Sequence, residues 1–570
     1  MYSEFQVNGQ NSAALFTLKV YRGDGMALIA MNWKNGKPPE NFAGFAIEYK
    51  EPGGDKFFAL KNRLSFPDTS NWIASNRYST LLSPIQKFRW VHFPRNANLP
   101  GKFTYKVTPV FMNDKDELSY GEPQVVEIEL CRETYPEQLN IAYSRGFISS
   151  QAFVDQYESI APISKLLPSK ANQGLKFVPT HPKTKEALTW MGFEAREAIF
   201  DVLDKAIADK KSQVRVVAYD LNEPDVVSRL EKLGPRLKII IDNEGEHGKQ
   251  GSAENQVEKR LSVSAGKQNV KRQCMGKLQH NKTIVVDGSK VKMAVCGSTN
   301  FSWRGFYVQA NNAVVLEGKS AIKPFLDAFE NYWNNNNVAG FAKTTSVKWT
   351  DLAFNGINAK IAFSPHSKSN ALLQSIADDI EQRTTSSLFY SLAFLYQTPG
   401  VIRNAISKVT NNKKLFVYGI SDKKVGGIIL QKPDGNLAPV SSAALSKNVP
   451  EPFKAEPTGG GGIRMHHKFL VVDFDKPSAR VYFGSYNFSV PADTKNGENL
   501  ILIRDRRIAV SYMIEALRIF DHYHFRVKQQ ETKNKEKLAL VKPPRKAGEK
   551  AWWVEDYTDA RKIRDRELFA

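Results

Sequence analysis

β-branched and aromatic residues crowd into six short runs over the first 130 residues: AALFTLKVYRG (13–23), GMALIAMNW (25–33), FAGFAIEYKE (42–51), KFFALKN (56–62), FTYKVTPVFM (103–112) and PQVVEIEL (123–130). Turn-forming stretches separate them, a pattern that predicts strands without helices. Short strands at this spacing predict an all-β sandwich over residues 1–132. From about Tyr143 the pattern changes. Helical periodicity in EAREAIFDVLDKAIADKK (194–211) and PDVVSRLEKLG (224–234) alternates with the apolar strands VRVVAYDL (214–221) and LKIIID (237–242). A similar succession returns after residue 358 as KIAFSP (360–365), NALLQSIADDIEQR (370–383), SSLFYSLAFLY (386–396), GVIRNAISKV (400–409) and KLFVYGI (414–420), in which SSLFYSLAFLY reads as a buried helix. The predicted fold class is α/β: two pseudo-symmetric α/β/α lobes, 140–345 and 346–526, behind the sandwich and ahead of a charged tail over 527–570.

A length of 570 residues fits about three domains, each large enough for its own core, and 42% hydrophobic with 24% charged residues is ordinary globular usage. The charge is not ordinary. Lys and Arg number 80 against 59 Asp and Glu, a net +21 that favours polyanionic partners such as nucleic acid or anionic lipid. Cys131, Cys274 and Cys296 are too few and too scattered for a disulfide framework or a four-ligand zinc site. The opening MYSEFQVNGQ has no basic segment leading into an apolar core, and no uninterrupted apolar run of membrane-spanning length occurs. A cytoplasmic location is the expectation, with signal-independent export left open.

The duplication sharpens in two later segments. His280-Asn-Lys282 continues through an apolar stretch to Asp287 and is followed by Gly297-Ser298-Thr-Asn300-Phe-Ser302. His466-His-Lys468 continues likewise to Asp473 and is followed by Gly484-Ser485-Tyr-Asn487-Phe-Ser489. In each copy His and Lys are two apart beside a strand, so alternation projects them from one face. Twenty residues separate His280 from Asn300 and twenty-one separate His466 from Asn487.

H-x-K-x4-D followed by G-S-x-N-x-S, twice in one chain, resembles the phospholipase D superfamily over roughly residues 140–525, and implies a two-lobed phosphodiesterase that needs no metal or other cofactor. The chemistry explains the residue types. Lys282 and Lys468 supply charge, and Asn300 and Asn487 amide donors, to the non-bridging oxygens of a phosphodiester. One imidazole attacks phosphorus to give a phosphohistidine, while the other protonates the leaving oxygen and then activates water. The resemblance implies a structural role for Asp287 and Asp473, and a supporting place near the phosphate for Ser298 and Ser485. It also implies that a polar residue about thirty positions after each His holds the ring from its other nitrogen. By spacing these are Asn311 in the first copy and Glu498 in the second. A carboxylate stabilises imidazolium far better than an amide does. The expectation is therefore that Glu498 keeps His466 protonated as general acid, while Asn311 leaves His280 neutral as nucleophile.

The substrate is less constrained, because this type of site serves both nucleic acids and phospholipids. Basic residues lead into the first motif (Lys259, Arg260, Lys267, Lys271, Arg272, Lys277), and Trp303 with Arg304 follows it. Cations beside a stacking aromatic favour a single-stranded polynucleotide. The alternatives are a phospholipase D docked on anionic headgroups, where Leu392–Tyr396 would insert, and a nucleic-acid-binding protein with an inactive site. His467 is expected to turn away from the site into packing or solvent, and Gly459–Gly462 to form a loop before the second motif rather than a phosphate cradle. Trp33, the GFAIEY run ending at Tyr49, and Tyr105 resemble core positions of a fibronectin type III module, which implies binding or spacing and a possible protein partner rather than chemistry. The tail carries KPPRK and Trp552-Trp553, which leaves it either a mobile arm or a segment docked on the body or a partner.

Overall fold

The computed structural model describes residues 4–67, 76–130, 134–169, 171–369, 371–396, 399–422, 427–440, 465–531 and 538–570. Cys131 and the run Gly459–Gly462 lie outside the described residues.

Two antiparallel sheets form the N-terminal sandwich. One orders Gln6–Asn8, Phe16–Gly23, Met26–Trp33 and Arg89–His92; the other is built on Phe42–Lys50 paired with the long strand Lys102–Met112, whose other neighbours are Leu118–Tyr120 and Gln124–Glu129. Alternate residues of the facing strands, Phe16, Leu18 and Val20 on one side and Phe45, Ile47, Tyr105 and Val107 on the other, fill the space between them.

The first lobe is a seven-stranded sheet, in the order Leu139–Tyr143, Asn312–Glu317, Lys292–Gly297, Lys282–Asp287, Gln213–Ala218, Leu237–Asp242, Val270–Gln273. Among the described residues nine strands form the sheet of the second lobe, and its interior repeats that order: Asn358–Ser364, Glu498–Arg504, Arg480–Gly484, Phe469–Val472, Ser387–Ala393, Phe416–Asp422. Helices pack against both sheets, giving two related α/β lobes behind the sandwich.

One expected helix is a strand. SSLFYSLAFLY contributes Ser387–Ala393, parallel to Phe416–Asp422 and antiparallel to Phe469–Val472. All seven residues are buried, with Leu388, Tyr390 and Leu392 in one core and Phe389 in another. A strand covered on both faces has no polar face to reveal its period of two, so it reads as a continuous apolar run. Leu392 and Leu395 are buried as well, which removes them as membrane-inserting residues.

The helix Arg506–Glu531 packs against the second sheet and the sandwich strand Phe16–Gly23. At the same interface Arg89 of the sandwich bonds Asp521 of this helix at 2.5 Å and Asp565 of the C-terminal segment at 2.8 Å. Residues 538–570 dock on the body. Ala551 and Trp553 enter the sandwich core, and the Trp552 indole N–H donates to the Phe42 carbonyl at 3.1 Å. The Phe569 ring stacks on Phe474 and meets Phe389 and Phe416 edge-on. No helix among the described residues is long and apolar enough to cross a membrane.

Candidate active site

The strands Lys282–Asp287 and Phe469–Val472 hold equivalent places in the two sheets, with His280 and His466 just ahead of them. Two parallel bridges join the lobes here, Gln279 with Gly497 and Ala310 with Met465. Each bridge sets the next residue of one lobe beside the next residue of the other. His280 therefore meets Glu498, and Asn311 meets His466. A Cβ on Gly497 would lie 2.1 Å from Gln279 Oε1, so a side chain there displaces the Gln279 amide or the bridge.

The pairing is thus the reverse of the one expected from spacing. His280 Nδ1 lies 2.7 Å from Glu498 Oε2, and His466 Nδ1 lies 2.7 Å from Asn311 Oδ1 and 2.9 Å from the Ser298 carbonyl. Counting along the chain finds the right residues but assigns each to its own copy, whereas the lobes exchange them. The Asn311 amide nitrogen donates to the Gly305 carbonyl at 2.9 Å, which turns its oxygen towards the histidine. Both neighbours of His466 Nδ1 are then acceptors, so that nitrogen carries a hydrogen and Nε2 is the working atom. Glu498 selects the same tautomer at His280.

The two imidazole centroids are 6.4 Å apart, close enough for one phosphoryl group to touch both rings. Lys282 and Lys468 are buried between the lobes and donate to the carbonyls of His280 and His466, the latter at 2.8 Å. Burial lowers the Lys282 ammonium well below its usual range and pushes Lys468 down to about 7, although Glu498 opposes both shifts. Burial, reinforced by the two lysines, also holds both imidazoles well below their ordinary value. It pushes the Glu498 carboxyl up to about 7. An entering phosphodiester supplies the negative charge that favours protonated lysines. Asn300 is buried, and its Oδ1 has no hydrogen-bond partner among the described residues; Asn487 is half-buried.

Other expected site residues fall elsewhere. The Trp303 ring is 3% exposed, donates from Nε1 to the Gly174 carbonyl at 2.8 Å and meets Phe177 edge-on, so it is a core residue and not a platform for a base. Arg304 is half-buried and close enough to lower His466 further. The hydroxyls of Ser298 and Ser485 accept from the backbone N–H groups of Asn312 and Asn499, both at 3.0 Å, and are fully buried, so they fasten hairpins rather than reach substrate. Asp287 pairs with Lys292 at 2.5 Å. Asp473 accepts from the backbone N–H groups of Thr385, Ser386 and Ser387, which pins the start of the neighbouring strand. His467 points away from the site, with Nε2 3.0 Å from Glu515 and no solvent exposure. In the basic run, Arg260 pairs with Glu231, Lys271 bonds the Trp333 carbonyl, and Arg272 bonds Glu258 and the carbonyls of Asp242 and His247. Lys259, Lys267 and Lys277 are exposed.

Tyr219 escaped the sequence reading. Its ring lies 4.6 Å from the His280 ring and 4.5 Å from Lys282 Nζ, supporting both. Its place just past the carboxyl end of the strand Gln213–Ala218 is the signal that would have found it, since that edge of an α/β sheet is where sites form.

Comparison with known proteins finds the domain family described as cardiolipin synthase, PLD-like domain, over residues 203–333 and 400–520. A stretch of 48 residues is 48% identical to a phospholipase D of Rickettsia prowazekii (strain Madrid E) and 46% identical to one of Rickettsia typhi (strain ATCC VR-144 / Wilmington). That stretch is 8% of this chain and 22% of either relative, so the chain spans about a fifth of the length of the relatives it matches. Among solved structures, the phosphatidylserine synthase of Haemophilus influenzae Rd KW20 is 13% identical at a TM-score of 0.40, over 56% of this chain and 84% of that one. Nuc from Salmonella typhimurium, a phospholipase D family member, is 24% identical at a TM-score of 0.21, over 25% of this chain and 88% of its own. By the family match, the chain carries two phospholipase D-like segments, one around each histidine of the pair.

Proposed function

We propose that this protein is a phosphodiesterase working through a phosphohistidine, with a polynucleotide as substrate. The observation that carries the reaction class is the pair of facing imidazoles, each anchored at Nδ1 from the opposite lobe. The negative charge of the bound phosphodiester favours the imidazolium form of His466; His280 Nε2 attacks phosphorus, the bond to the leaving oxygen breaks, and that oxygen takes the Nε2 proton of the His466 imidazolium. His466 then removes a proton from water, the resulting hydroxide attacks phosphorus, and His280 departs neutral.

His280 keeps the nucleophile's role, on new grounds. Forming the N–P bond leaves positive charge on the attacking ring for the life of the intermediate, and the Glu498 carboxylate sits where it offsets that charge. His466 is held by neutral carbonyl oxygens alone, which stabilise its imidazolium less and make it the readier proton donor. Lys282 and Lys468 supply the cationic charge at phosphorus that a metal supplies in other phosphoryl-transfer sites.

A net charge of +21 and the exposed Lys259, Lys267 and Lys277 support the polynucleotide reading. Release of phospholipid headgroups is the second reading, favoured by the matching family's description and the relatives' names. The sandwich is read as a fibronectin type III-like module that binds or spaces. The deciding experiment gives wild type and His280→Ala labelled single- and double-stranded DNA, RNA, and phosphatidylcholine or phosphatidylglycerol vesicles, all in EDTA. Polynucleotide cleavage that disappears in the variant is expected. Headgroup release with nucleic acid left intact makes the protein a phospholipase, and silence on every substrate makes it a binding protein with an inactive site.

A further inference from the structure

A second cluster of chemical groups lies behind Tyr219, outside the phosphodiester site. Asp220 follows the strand Gln213–Ala218, His247 sits in the turn after Leu237–Asp242, and Glu254 opens the helix Ala253–Ala265. The two strands are parallel neighbours, so their carboxyl ends bring these residues together. One ligand atom from each of the three lies within 4.8 Å of the others.

The histidine is prepared for a metal. Asp242 Oδ2 lies 2.9 Å from His247 Nδ1 and accepts a hydrogen bond from it, which turns Nε2 inwards, 4.0 Å from Glu254 Oε1. A carboxylate behind a ligating imidazole fixes tautomer and ring direction at many metal centres. Asp242 is itself held, by the Gln279 N–H at 2.6 Å, and Arg272 ties the Asp242 and His247 carbonyls together at 2.8 and 2.7 Å. The Leu221 N–H donates to Glu254 Oε1 and the Asn222 amide to Asp220 Oδ1, at 3.1 and 3.2 Å, which fixes two carboxylates around the imidazole in an arrangement that a cation completes.

We propose that Asp220, His247 and Glu254 bind one divalent transition-metal cation, zinc by preference, as a tie between three loop ends beside the active site. One nitrogen and two carboxylate ligands suit zinc, with a fourth position open to water. Ligand atoms on a tetrahedral zinc stand about 3.4 Å apart at ordinary bond lengths. Loading therefore draws the trio together by up to about an ångström and a half. The cation does not touch phosphorus. Its connection to catalysis is Tyr219, whose ring lies 4.6 Å from both the His247 and His280 rings.

The test uses the full chain stripped with a chelator and dialysed, titrated with ZnCl2 by calorimetry and with CoCl2 by visible absorption. One zinc per chain and a raised melting temperature are expected. Glu254→Gln keeps an oxygen for the Leu221 N–H that Glu254 accepts, at 3.1 Å, while losing the charge. It should weaken binding at least tenfold, His247→Ala should abolish it, and His280→Ala should leave it unchanged. Absence of stoichiometric binding by the wild type overturns the proposal. So does binding that survives His247→Ala, or binding lost in His280→Ala, which would put the metal on the catalytic histidines. None of these readouts depends on turnover, so the metal site and the phosphodiesterase reading stand or fall separately.

Discussion

Glu498 breaks the symmetry of the site. Two lobes bring the same His, Lys and Asn, yet a carboxylate faces one imidazole and an amide faces the other. Glu498→Gln keeps an acceptor for His280 Nδ1 and removes only the charge. It should lower kcat by about 10² to 10⁴, the range of general acid–base and nucleophile-orienting effects, with KM little changed. The check is steady-state kinetics together with acid-quench mapping of the phosphoenzyme. Label on His280 is expected, and label on His466 would reverse the roles. A second prediction concerns the lysines. With Lys468 pushed down to about 7, the site is most cationic below neutrality. An anion seated on it favours the ammonium form and takes up a proton, so affinity falls as pH rises through about 7, by up to about tenfold per unit for one linked proton. Sulfate, which does not titrate in this range, is the probe for calorimetry between pH 6 and 8. Affinity that rises with pH would contradict it. At this scale the repeated motif marks His280, His466 and both lysines, while Asn311 and Glu498 follow only from what the family resemblance implies. It does not show who faces whom, because that depends on contacts between residues such as His280 and Glu498, about 220 positions apart.

The elements explain why the pairing crosses. The bridges Gln279–Gly497 and Ala310–Met465 are single contacts between lobes, and each sets one histidine. Gly497→Ala places a methyl against Gln279, with relief available only if that side chain or the bridge shifts. A displacement of about an ångström at a reacting group costs on the order of 10²-fold in rate. The expected result is a loss of that size in kcat with a melting temperature within a few degrees of wild type; unaltered kcat would show that the bridge does not set the geometry. The strand Ser387–Ala393 teaches a related lesson. Its equivalent in the first lobe is Gln213–Ala218, which is legible as a strand because Gln213 and Arg215 interrupt the apolar positions. In SLFYSLA only the small, buried Ser387 and Ser391 interrupt the apolar run, with no charged or long polar residue to mark a face, so local pattern alone misreads it. Carrying the duplication one element further would have corrected it. Trp303 marks the converse limit: a tryptophan beside an arginine looks the same in sequence whether its ring meets a base or the Gly174 carbonyl.

For the whole molecule, charge is the property most directly legible and the least local. A net +21 predicts that polynucleotide affinity falls linearly on a logarithmic plot as salt rises, with a slope of about −0.7 per phosphate contacted for single strands. Fluorescence anisotropy of a labelled oligonucleotide on His280→Ala between 50 and 300 mM KCl checks this, and a flat response would remove the electrostatic case for a nucleic-acid substrate. The tail shows what composition hides. Charged, Pro-containing sequence allows a mobile arm, but Trp552, Trp553 and Phe569 fasten residues 538–570 to the sandwich and the second lobe.

The exchange of Glu498 and Asn311 between lobes has a genetic counterpart. In an assembly whose sites are shared between separate subunits, two different dead variants can restore one another when mixed, because some sites draw only intact halves. Here one polypeptide supplies His280, His466 and both their partners, so a chain lacking His280 and a chain lacking His466 have no intact half to lend. A mixture of the two stays silent, and damage at either lobe counts as damage to the whole site.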